Sequence, residues 1–119
     1  MNKPSVAAKP MGRAKAPNRR AMAVLTAERQ FRALAAKWHR ETDIHSSFST
    51  IESHPAYLQI IEMGARALPF ILGELRDHAG HWFKALRSIT NENPVPKGSD
   101  HEGRRKAWLA WGRERGLIG

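Results

Sequence analysis

Six cationic side chains, Lys3, Lys9, Arg13, Lys15, Arg19 and Arg20, fall within the first twenty residues, which contain no Asp or Glu. Cations strung along a chain in this way neutralise phosphates and release their condensed counterions. The chemistry they offer is nucleic-acid binding with a steep salt dependence and little sequence preference. Pro4, Pro10 and Pro17 interrupt any helix here, and like charges repel, so residues 1–20 are predicted to be a disordered basic arm when alone. No apolar anchor accompanies the charge, which argues against an anionic membrane surface as the target. The plain alternative is a solvated tail that aids solubility.

A second cationic set lies near the other end. Arg104, Arg105, Lys106, Arg113 and Arg115 flank Trp108 and Trp111. Basic residues beside an aromatic can grip phosphates while the ring stacks on a base. The tryptophans, three residues apart, are read as a partner-binding pair, with a place in the core as the competing reading. Arg113 and Arg115 also suit the negative end of a helix dipole, a purely structural reason for their positions.

Two histidine groups could carry other chemistry. Asp77, His78, His81 and His101 are of metal-ligating type, but a predicted Ala79-Gly80 break separates His78 from His81, and the chain has no Cys. No metal or other cofactor is therefore expected. His39, Glu41 and His45 could act as general acid and base in phosphodiester cleavage; a helix C-terminus, where His and Arg are favoured, accounts for the same residues. No Gly-rich phosphate loop, nucleophile elbow or HExxH pattern occurs. The expectation is a protein that binds rather than catalyses.

Composition sets the frame for these groups. The chain has 119 residues and a formal net charge of +9. Beyond residue 20, fourteen bases stand against all eleven acids, a net of only +3. A separable basic arm thus precedes a nearly charge-balanced body of one domain, residues 21–119. No apolar run approaches the roughly 20 residues needed to span a bilayer, and the N-terminus lacks the continuous apolar stretch of a secretory signal. A cytoplasmic location is expected.

Five helices are predicted to position the candidate residues. The first runs from about Ala21 or Thr26 to Arg40, with Phe31, Leu34, Ala35 and Trp38 on one face. Glu41 to Ser53 reads as a connector anchored by Phe48 and Ile51. The second helix starts at Ser53-His54-Pro55, with Ser53 as N-cap, and ends at Gly64 in a left-handed conformation. The third spans about Arg66–His78 and has Pro69 in its first turn. It buries Leu68, Ile71, Leu72 and Leu75. The fourth, His81–Thr90, buries Trp82, Phe83, Leu86 and Ile89. Residues 91–98 form a loop. Ser99 and Glu102 match a capping box for a fifth helix that turns Ala107, Trp108 and Trp111 inward and ends at Gly116. No sustained period-2 alternation occurs, so no sheet is expected.

Residues 54–78 resemble a HEAT-type helical hairpin, on Gly64, Ala67, Leu68, Pro69, Leu72 and Leu75. No second copy is found, and a solenoid needs about three. The resemblance implies one antiparallel hairpin within a compact all-α bundle. The strings HPAYLQIIEMGARALPFILGEL, HWFKALRSIT and NENPVP are also similar to a group of small bacterial helical proteins. That likeness implies no activity and lends no catalytic residue.

The function expected from all this is a non-enzymatic helical module. Its arm and last helix would contact nucleic acid or a nucleoprotein complex. The alternatives are a protein–protein module, such as an inhibitor, an antitoxin-like subunit or a mobile-element accessory protein, and a small metal-independent nuclease.

Overall fold

The computed structural model describes residues 18–42, 47–78 and 80–119, with the side chain of Phe48 outside the description. These residues form α1 (Arg19–Glu41), α2 (Phe48–Glu52), α3 (Pro55–Met63), a 3-10 turn (Gly64–Ala67), α4 (Leu68–His78), α5 (Phe83–Thr90) and α6 (His101–Glu114). The fold is all-α, and no strand occurs among the described residues. None of these helices is long and apolar enough to cross a membrane.

Helix α1 starts earlier than its apolar face suggests. The Asn18 side chain accepts a hydrogen bond from the Ala21 N–H at 2.8 Å, a favoured N-cap arrangement. Arg19 and Arg20, expected in the disordered arm, are the first two residues of this helix. Ala27, Phe31, Ala35 and Trp38 face inward, whereas every residue from Asn18 to Thr26 is exposed. α1 packs on α3 and the 3-10 turn.

The connector also holds an unexpected element. α2 is five residues long, too short to be stable alone, and it stands because the core holds it. Ser47 Oγ accepts from the Thr50 N–H at 3.2 Å. Ile51 is buried, and its carbonyl accepts from Trp38 Nε1 at 2.8 Å.

Helix α3 is capped by His54 rather than Ser53. His54 Nδ1 accepts from the Ala56 N–H at 3.0 Å. This places the ring proton on Nε2, which donates to Glu41 Oε1 at 2.8 Å. Pro55 follows at the first helical position, where a missing N–H costs nothing. The helix ends at Gly64, with φ +69° and ψ −145°. This is a glycine conformation, but an extended one rather than the left-handed helical one expected. The 3-10 turn then delays α4 to Leu68, so Pro69 falls at its second residue.

The core is built on aromatic rings. Trp82 lies 4.7 Å from Trp38, 5.6 Å from Phe31 and 5.8 Å from Tyr57, centroid to centroid. The Tyr57 hydroxyl donates to the His81 carbonyl at 2.7 Å and accepts from the Ala85 N–H at 3.0 Å. It thereby satisfies an orphan donor at the start of α5, whose own N-cap, Trp82, supplies no side-chain bond. Burial pushes the Tyr57 phenol pKa well above its ordinary value, so the hydroxyl stays neutral in this role.

Helix α6 begins one residue later than the Ser99 capping box implies. Asp100 is the N-cap and accepts from the Gly103 N–H at 2.8 Å. Ser99 Oγ donates instead to the Pro96 carbonyl at 2.7 Å. A Cβ on Gly112 would lie 2.7 Å from Leu72 Cδ1, so glycine lets α6 approach α4 closely. The helix closes in a Schellman motif. The Leu117 N–H bonds the Gly112 carbonyl at 2.9 Å, and the Gly116 N–H bonds the Arg113 carbonyl at 3.0 Å.

Candidate nucleic-acid interface

The two cationic segments meet different fates. Of the arm, Lys3, Lys9, Arg13 and Lys15 lie outside the described residues. Arg19 and Arg20 are exposed on the first turn of α1, without an ion pair among the described residues. They sit at the positive end of the helix dipole, where cations are disfavoured by about 0.3–1 kcal/mol each. The same turn carries no acid to offset them. An anion bound there would relieve both effects.

On α6 most of the charge serves the fold. Arg105 is only 25% exposed. Its guanidinium donates to the Leu75 and Arg76 carbonyls at 2.9 and 2.6 Å. These are two of the four carbonyls that the end of α4 leaves unpaired. A third contact reaches Glu102 at 3.0 Å. Arg115 bonds Glu92 at 3.2 Å and lies 4.3 Å from the Trp111 ring centroid. Arg113 donates to the Gly119 carbonyl at 3.3 Å. Arg104 and Lys106 are exposed on this helix with neither an ion pair nor a side-chain hydrogen bond among the described residues.

Trp108 and Trp111, read as a partner-binding pair with the core as the competing place, are core residues. Trp108 is fully buried and Trp111 nearly so. They pack edge to face at 5.3 Å, and Trp111 Nε1 donates to Glu92 at 3.1 Å. The three-residue spacing that puts them on one face of α6 puts both against the body.

The histidine groups disperse. His39 faces Glu74 at 3.4 Å, Glu41 faces His54, and His45 lies outside the described residues. Asp77 bonds its neighbour Arg76 at 2.9 Å, which holds its carboxyl below the ordinary value. His101 packs edge-on against Phe83 at 5.1 Å. Among the described residues no three His, Asp or Glu side chains converge on a point where a metal ion could sit.

Two surface features had no sequence signal strong enough to single them out. The first is a cleft of about 360 Å³ between α5, the 93–99 loop and α6, walled by Phe83, Arg87, Lys97, Arg104 and Trp108. Arg87 and Lys97 are scattered along the sequence, one helix and one loop apart. The second is a smaller groove of about 220 Å³ between α1 and the start of α4, lined by Ala23, Val24, Ala27 and Phe70, with Arg20 and Arg66 beside them. Next to it Met22, Val24 and Leu25 are 47%, 51% and 41% exposed.

Comparison finds no matching family, no similar curated protein and no similar solved structure. Function must therefore be argued from these side chains themselves.

Proposed function

We propose that the chain is a non-catalytic, cytoplasmic helical module that binds nucleic acid, or a nucleoprotein complex, through phosphates. The observation that carries this reading is the unbalanced charge at the start of α1. Arg19 and Arg20 stand exposed at a dipole end that repels them, directly after four more cations and no acid. Arg104 and Lys106 add exposed charge on α6. Phosphates are the natural complement to such sites, since the helix N-terminus itself favours anions.

The test is fluorescence anisotropy with short duplex and single-stranded oligonucleotides at two salt concentrations. Micromolar binding at low salt is expected. Removing residues 1–17, which leaves the Asn18 cap in place, should weaken it, and adding Arg19→Gln and Arg20→Gln should weaken it further. Absence of binding at low salt, or binding indifferent to both changes, refutes the reading.

A second reading, a protein-docking module of the inhibitor or antitoxin-like kind, is favoured by the exposed Met22, Val24 and Leu25. The HEAT-like character of residues 54–78 is in keeping with it. Co-purification of a stoichiometric partner from the native host, lost in Val24→Glu, would support it. Recovery of a lone monomer would count against it.

A further inference from the structure

The cleft between α5, the 93–99 loop and α6 is lined by Arg87, Lys97 and Arg104 and, among the described residues, by no Asp or Glu. None of the three cations has an ion pair among the described residues. The nearby carboxylates are committed elsewhere. Glu92 bonds Trp111 and Arg115, Asp100 caps α6, and Glu102 bonds Arg105. The three cations therefore line the cleft with no carboxylate paired to them among the described residues. Trp108 also lines the cleft; its Nε1 is buried and, like that of Trp82, has no hydrogen-bond partner among the described residues. Such a donor ordinarily has a partner. Three cationic side chains thus line one cleft in which, among the described residues, no acid answers them.

The volume falls at the lower end of small-ligand pockets, roughly 300–1,000 Å³. Guanidinium groups present planar forks that match phosphate oxygens two at a time. Three cations suit a dianion better than a monoanion. A phosphomonoester carries about −1.5 to −2 charges near neutral pH, whereas a backbone phosphodiester carries one.

We propose that this cleft is a seat for a phosphomonoester and, resting on the nucleic-acid reading above, that it holds the terminal phosphate of a strand. The arm and α1 bind internal phosphates without regard to position, and the cleft fixes an end. The same chemistry could be met by a free mononucleotide, and the experiment separates the two sources.

The full chain is titrated into one labelled single strand bearing either a 5′-phosphate or a 5′-hydroxyl, and separately with AMP and with adenosine while tryptophan fluorescence is followed. The 5′-phosphate should tighten binding by about tenfold, in line with the gain of a charge-assisted contact. AMP, but not adenosine, should cancel that advantage. Arg87→Gln and Lys97→Gln, both at exposed positions, should abolish it. Each should retain wild-type circular dichroism and 5′-hydroxyl binding. If no strand binds but AMP changes the fluorescence saturably in an Arg87-dependent way, the nucleic-acid reading fails and the phosphomonoester seat stands, with a free ligand as its source. If both strands bind equally and AMP is silent, the seat is overturned while the nucleic-acid reading survives. A 5′-phosphate advantage that persists in both variants overturns the seat as well.

Discussion

The first turn of α1 and the length of α6 look alike as strings of Lys and Arg, but their charges do different work. On α6, Arg105 closes the end of α4 through two backbone carbonyls, and Arg115 is held by Glu92 and the Trp111 ring. On α1, Arg19 and Arg20 meet no acid among the described residues and oppose their own helix dipole. A count of basic residues treats all of them as one polyanion-binding surface. The side-chain partners divide them into charge that stabilises the body and charge that has no acidic partner among the described residues.

That division can be broken most forcefully at Trp108. If α6 turns its tryptophans into the core, Trp108→Ala should cost about 3–5 kcal/mol and lower the urea midpoint sharply. A near-neutral effect would return Trp108 to a partner-facing role. Arg105→Ala should come next. It strips the Leu75 and Arg76 carbonyls of their donors and should cost about 1–2 kcal/mol, with oligonucleotide affinity of the folded fraction unchanged. At Arg19 and Arg20 the signs reverse. Arg19→Glu with Arg20→Glu should stabilise α1 by about 0.3–1 kcal/mol per site, seen as a higher thermal midpoint, while nucleic-acid binding weakens. Smallest of all, Arg104→Gln should leave stability within about 0.5 kcal/mol of wild type; its effect should appear only in phosphate binding.

Much of the body was legible in the sequence because its signals are local. The Leu68, Ile71, Leu72 and Leu75 stripe, the Pro69 position and the Gly116 stop were each read correctly from neighbours in the chain. Errors arose where a nearby alternative or a distant partner decided the outcome. Asn18 caps α1 immediately after Pro17, so the helix runs through two arginines that composition assigned to the arm. His54, not Ser53, caps α3 because its ring also reaches Glu41, thirteen residues away. α2 exists through a bond from Trp38 that no five-residue window contains. The site was harder still. The role of Arg105 depends on carbonyls thirty and twenty-nine residues earlier, and Arg87 and Lys97 become neighbours only once α5 and α6 are placed. Charge is visible in a sequence, but its pairing is a property of the fold.

The most direct test of the division is the slope of log binding constant against log salt, measured with one oligonucleotide for three proteins. Each phosphate contact contributes about 0.7–0.9 to the slope. Arg19→Gln combined with Arg20→Gln should flatten it by roughly 1.4–1.8, whereas Arg105→Gln, compared while fully folded, should leave it unchanged. Equal flattening by both, or a wild-type slope near zero, would contradict the account.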